Sequence, residues 1–207
     1  MNEVSKAAPA SLASKIATFE EGDPNENPWV LGQPKVEEIA VEPYNSNWPV
    51  LYQRLSAEIG EVLGNTVLGM AHVGSTAVLG LPAKPVIDID LIVADPEQED
   101  SYVPALSTLA YTLSVRERSW YGHRMLRLEE PRVNLHVFGP DCPEHIRHIL
   151  FRDWLSSHPE DLQRYAQVKM LAKEGAATVK DYNQRKQDVV RAIYQKIFES
   201  HGLLKQA

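Results

Sequence analysis

One stretch, residues 85–93, PVIDIDLIV, limits what this chain can fold into more than any other. A run this apolar reads as a strand buried in the middle of a sheet. Yet Asp88 and Asp90 stand two residues apart and therefore project from the same strand face, while Ile87, Ile89 and Leu91 project from the other. Two carboxylates beside a core are costly unless a cation or hydrogen bonds compensate them. The chain therefore has to build a layered fold with one apolar sheet face and, on the other, an answer to the carboxylates.

The surrounding pattern supplies the layers. Residues 45–64 carry Leu51, Leu55, Ile59 and Val62 at helical spacing, with Pro49 tolerated in the first turn. Val36, Ile39 and Val41 alternate as a first strand, and residues 66–74 predict the strand before PVIDIDLIV. Residues 95–110 open on Asp-Pro and predict a helix. Three further stretches read as strands: 111–117, 122–130 and 132–139. The last third reads as three helices, near 143–156, 159–174 and 179–200. The expected fold class is α/β (α+β), a mixed sheet flanked by helices with a helical C-terminal layer. Residues 1–34, rich in Pro, Asn, Glu and Gly, read as a flexible N-terminal extension with a weak helical stretch at 10–19. Residues 35–201 form the expected folded domain.

Charge narrows the partners. The net charge of −7 argues against bulk nucleic-acid binding. It is unevenly spread, with a net of −11 over residues 1–100 and +4 over residues 145–207. No apolar run is long enough to span a membrane, the N-terminus lacks an apolar signal core, and Cys142 is the single cysteine. These features lead us to expect a cytoplasmic protein without disulfides or a cysteine-based metal site.

The chemistry concentrates around the strand. Two aspartates at i and i+2 suit Mg²⁺ or Mn²⁺, which favour oxygen ligands and bridge to substrate phosphates. Gly74 permits close backbone approach. Ser75 offers a hydroxyl, and its amide is expected at a helix start. Lys84 sits between two prolines. Arg124 and His136 lie on neighbouring strands, and His136 alternates with Leu135 and Val137, so it faces away from the apolar side. In the last helices Tyr182 and Lys186 share a face with Val190, Ile193 and Ile197, and Tyr165 and Lys169 repeat the arrangement. Lysines on a stripe that packs point toward an anion, although a lysine can also snorkel to the surface. Arg152 and Asp153 read as a structural ion pair.

A Gly-Ser turn followed thirteen residues later by Asp-x-Asp resembles the nucleotidyltransferase fold. The order HVGSTAVLGLPAKPVIDIDLIV, GHRMLRL, VNLHVFG, FRDWL with HPEDLQRYAQVK, and DYNQRK resembles the GrpB family, a branch of that superfamily, over residues 36–200. The resemblance implies that the Gly-Ser turn holds a triphosphate and that Asp88 and Asp90 hold metal. It also implies nucleoside triphosphate binding with possible nucleotidyl transfer to an acceptor the sequence does not name. Such enzymes usually carry a third carboxylate on a neighbouring strand, where this chain has Asn134 and His136. His136 therefore takes the third position, and two-metal transfer competes with a non-catalytic nucleotide-binding or accessory module that keeps the fold. A His/Asp phosphohydrolase is a third reading, but of the histidines only His72 and His136 are expected nearby.

Overall fold

The computed structural model describes residues 11–33, 40–174 and 178–204. Five strands, β1 (Gly69–Val73), β2 (Ile87–Ile92), β3 (Thr112–Glu117), β4 (His123–Leu128) and β5 (Val133–Phe138), form one sheet in the order β1-β2-β5-β4-β3. Only the β2–β5 pair is parallel; the other neighbours are antiparallel. PVIDIDLIV thus occupies an interior position, as its apolar character demands.

One face of the sheet is the core. Ile87, Ile89 and Leu91 meet Val133, Leu135 and Val137, all 1% exposed or less, and α2 (Asn47–Leu63) lays Leu55, Ile59 and Leu63 over them. Each such side chain contributes roughly 1.5–3 kcal/mol by leaving water. The expected helix over 95–110 is much shorter: α3 spans Val103–Ser107 after a single 3₁₀ turn at Glu99–Ser101. Pro96 and Pro104 remove backbone donors. Glu99 is also drawn off to Arg116, whose Nε and Nη2 donate to it at 2.6 and 2.5 Å.

The opposite face lies under the C-terminal layer. Helices α4 (Pro143–Ser157) and α5 (Pro159–Lys173) start on proline with acidic residues in the first turn, where missing N–H groups and negative charge are both favourable. The last helix, α6 (Val179–Ser200), is capped by the Thr178 hydroxyl, which accepts from the Asp181 amide. Leu155, Tyr165, Ile193, Ile197 and Phe198 form a second core with Val78 and Leu81.

The expectation of a flexible extension does not hold for residues 11–33. A short helix, α1 (Leu12–Ala17), buries Ile16 in the second core, and Phe19 stands edge-on to Tyr194 at 5.3 Å. Trp29 bridges to Val115, and Glu26 accepts from the amides of Arg118 and Ser119. Fully buried Arg147 on α4 donates from Nη1 to the carbonyls of Lys15, Ile16 and Thr18 at 3.0–3.1 Å. A few well-placed apolar residues and a buried guanidinium that needs acceptors outweigh a polar composition. The boundary at 34/35 and the strand positions Val36 and Ile39 lie outside the described residues. Val41 is buried beside Tyr182, and Glu42 forms a bridge with Ala83.

Candidate functional site

Register assembles the centre of the site. Pairing of β2 with β5 sets Asp88 beside Asn134 and Asp90 beside His136, all on the face away from the main core. Asn134 Nδ2 donates to Asp88 Oδ1 at 2.9 Å. His136 Nε2 lies 4.0 Å from the same oxygen. Gly74 follows β1 with φ +68° and ψ −169°, a conformation essentially reserved for glycine, and a Cβ there would collide with Asp88 Oδ2. The glycine is what lets the turn close on the carboxylate.

The two aspartates have different environments. Asp90 is fully buried, and its carboxylate accepts from His145 Nδ1 at 2.9 Å and His148 Nδ1 at 2.9 Å. Burial alone would raise Asp90, but His148 and His145 hold it far below the usual carboxylate range. Burial alone would lower His148, yet Asp90 and Glu144 hold it up at about 10, so it is an imidazolium at neutral pH. The cation that a buried carboxylate requires is therefore supplied by the protein itself. Asp88 keeps 27% of its side chain exposed, and desolvation lifts it to about 6 against the pull of Asn134. Burial and the neighbouring His123 lower His136 to about 3, leaving it neutral.

The cations converge on Asp88 from the helical layer. Lys169 is buried and donates to the Pro82 carbonyl at 2.6 Å. Burial and Lys186 together lower it to about 7, with Asp88 opposing. Lys186 stands 4.1 Å above the Tyr182 ring; burial lowers it to about 8, with Asp88 opposing and Lys84 adding to the fall. Ser75 and Tyr165 line the same cavity. The Tyr182 hydroxyl is buried with no hydrogen-bond partner. Behind Tyr165, a cavity of about 180 Å³ opens between the Gly74–Ser75 turn and Phe151 and Tyr194.

The structure thus brings together Asp88, Asp90, His136, Gly74, Ser75, Lys84, Lys169, Tyr182 and Lys186. Arg124 does not join them. It pairs in register with Val137, so it projects from the core face, where its Nε donates to Glu99 at 2.7 Å. Ser75 begins only a 3₁₀ turn, Ser75–Ala77, too short to carry a helix dipole. His72 also faces the core side, stacked on Tyr52 at 4.7 Å and 3.0 Å from Thr76 Oγ1. Of the two histidines expected nearby, His136 is at the site and His72 is not; His123, His145 and His148 join His136 there. The spacing Glu144, His145, His148 on one helix was a legible signal, since i, i+3 and i+4 share a face.

Comparison with known proteins identifies the family and supports the fold. The family model described as GrpB protein matches residues 38–196. The chain belongs to the GrpB family. A UPF0157 protein of Halalkalibacterium halodurans is 41% identical over 162 residues, covering 78% of this chain and 83% of that one. The crystal structure of GrpB from Enterococcus faecalis superposes with a TM-score of 0.68 at 25% identity, over 78% of this chain and 99% of that one. More distantly, dephospho-CoA kinase of Mycolicibacterium paratuberculosis is 27% identical over 164 residues, which are 67% of this chain but 40% of that protein. The mixed sheet and helical layer of this GrpB-family chain fit a place in the nucleotidyltransferase superfamily. No helix among the described residues is long and apolar enough to cross a membrane.

A divalent metal would find only a small protein donor set at the GrpB-family site. Among the described residues no three His, Cys, Asp or Glu side chains converge to hold an ion by themselves. Both Asp90 oxygens face imidazole donors. Asp88 alone offers a carboxylate toward the cleft, a donor set that fits Mg²⁺ or Mn²⁺ shared with ligand phosphates, the commonest arrangement for Mg²⁺.

Proposed function

We propose that this protein binds a nucleoside phosphate in the cleft between Asp88 and the C-terminal helices. The phosphates lie against Lys84, Lys169, Lys186 and the Gly74–Ser75 turn. The observation that carries this reading is the pair Lys169 and Lys186. Lys169 is 2% exposed, and among the described residues neither lysine has a carboxylate within ion-pair distance. A desolvated cation without a counter-ion is costly, and phosphate oxygens would supply it. The unpartnered Tyr182 hydroxyl beside Lys186 adds a donor. Asp88 would hold Mg²⁺ or Mn²⁺ together with the phosphates, and the ion would neutralise their charge.

Binding is favoured over nucleotidyl transfer. Asn134 donates to Asp88 from the strand where a third carboxylate is expected, and Asp90 is already neutralised by His148. The likeness to a dephospho-CoA kinase makes dephospho-CoA and ATP the first ligands to try. Calorimetric titration with each, with and without Mg²⁺ or Mn²⁺, is the test. Binding that weakens 10-fold or more in both Lys169→Met and Lys186→Met supports the reading; no binding in the wild type sinks it. Pyrophosphate release from bound ATP would restore transfer over the accessory role.

A further inference from the structure

A cavity of about 180 Å³ lies beside the proposed phosphate cleft and shares two of its walls. Leu155, Tyr165 and Tyr194, all buried, line it together with half-buried Phe151 and Val190 and the Gly74–Ser75 turn. The first shared wall is Gly74, where a Cβ would collide with Asp88 Oδ2. The second is the Tyr165 ring, whose centroid lies 5.4 Å from Lys169 Nζ and 5.9 Å from Lys186 Nζ.

The two spaces suit different parts of one ligand. None of the residues lining the cavity is charged, so a phosphate entering it would leave both its water and its cations behind. Three aromatic rings meet there instead: Phe151 stands edge-on to Tyr165 at 5.4 Å and tilted to Tyr194 at 5.0 Å. Such rings attract the face or the edge of a further ring. An apolar void larger than a water molecule is rare in a protein, because its lining loses dispersion contacts. Water is a poor filling, since it needs several polar partners. The polar side chains of the lining are Ser75 and the two tyrosines, and the Tyr194 hydroxyl already donates to the Arg147 carbonyl at 3.3 Å. An apolar protein cavity of about 150 Å³ admits a benzene ring. The larger cavity here has room for a flat ring system of nucleobase size.

We propose that this cavity seats the base of the nucleoside phosphate by aromatic and apolar contact, without reading the base's hydrogen-bonding edge. It rests on the phosphate cleft proposed above. The ribose passes over the Gly74–Ser75 turn, and the phosphates lie beyond it against Lys169 and Lys186. A site that reads a polar edge carries matching buried donors and acceptors and rejects the wrong partner by roughly 10⁴-fold or more. With only the Ser75 and Tyr165 hydroxyls to offer, the cavity distinguishes adenine from guanine weakly.

Calorimetry of the full chain with Mg²⁺ and, in turn, ATP, GTP, dephospho-CoA and inorganic triphosphate is the test. The wild type should bind ATP at least about 10-fold tighter than triphosphate, within the roughly 5- to 150-fold that contact between a base and aromatic rings supplies. ATP and GTP should agree within about 5-fold. Val190→Phe on α6 and Leu155→Phe on α4 each place a ring in the cavity from a different helix. Both should weaken ATP and GTP about 10-fold and leave triphosphate within about 2-fold, which also reports an intact fold. ATP bound no tighter than triphosphate by the wild type, or ATP affinity unchanged in both variants, overturns the base site. Variants that weaken dephospho-CoA alone would put its pantetheine arm in the cavity and overturn it as well. A preference of about 100-fold between ATP and GTP overturns the absence of edge reading. Failure of the wild type to bind any of the four, triphosphate included, overturns the phosphate cleft and the base site with it, whereas triphosphate binding without gain from a base overturns the base site alone.

Discussion

His148 and Asp90 form a buried ion pair across the sheet face, with the imidazole Nδ1 2.9 Å from the carboxylate Oδ2. Asp88, two residues away, has no such cation in contact and is lifted to about 6. Two aspartates that look alike in the sequence therefore play opposite electrostatic parts, and substituting each to asparagine should separate them. Asp88→Asn keeps the hydrogen bond from Asn134 and removes a charge the fold disfavours at neutral pH. It should stabilise the protein by about 1 kcal/mol or leave it unchanged. Asp90→Asn leaves the His148 imidazolium without its counter-ion and should destabilise by roughly 3 kcal/mol. Urea unfolding at pH 7 distinguishes the two; equal effects would mean that the pair acts as one unit.

The same ion pair sets a pH dependence. His148 binds its proton more tightly when folded, so its stabilising contribution is complete below the unfolded value near 6.5 and fades as pH rises toward 10. The stability gap between wild type and His148→Gln should be widest near pH 6 and narrow steadily up to pH 10. A gap independent of pH would show that His148 is neutral in the native protein.

Ligand affinity should fall on the alkaline side. Lys169 and Lys186, held at about 7 and about 8, lose their charge as pH rises through those values, and with it their attraction for phosphate. A bound phosphate pulls both values upward, so the decline in affinity starts near pH 7 and continues beyond 8. Calorimetric titrations with ATP from pH 6 to 9 check this, and flat affinity would remove the lysines from the binding site.

Residues 11–33 should be needed for stability. Removing them exposes the Tyr194 and Phe198 edge of the second core and strips three carbonyls from buried Arg147. The milder Ile16→Ala should already cost about 2 kcal/mol. Thermal unfolding of both variants reads this out. A truncated protein as stable as the full chain would show that the docking is superficial.

Gly74→Ala should fail twice, through its backbone and through Asp88. The backbone conformation alone costs about 1–3 kcal/mol in a residue with a Cβ. Gly60→Ala, inside α2 with only a Met70 methyl at 3.8 Å, is the control and should be neutral or stabilising. Unfolding curves and nucleotide affinity of the two variants give the comparison.

Much of this protein is legible without coordinates. Period-two and period-3.6 patterns locate the strands over 66–139 and the three C-terminal helices to within a few residues, because those elements bury one face and local spacing records it. The same alternation puts Asp88, Asp90 and His136 on the site face, and Tyr-Lys spacing points Lys169 and Lys186 toward it. Arg124 was misplaced because its face follows from its register opposite Val137, and register is a property of paired strands rather than of one strand. The same dependence hid Glu117 and His123, which reach His136 only through the pairing of β3 with β4 and of β4 with β5. His145 and His148 meet Asp90 across 55 and 58 residues of chain, and Arg147 meets the N-terminal segment across about 130. Local sequence determined the elements and their faces. Which charge answers which, and so whether a buried carboxylate meets a protein cation, was decided only when the helices closed over the sheet, because electrostatic compensation acts through space.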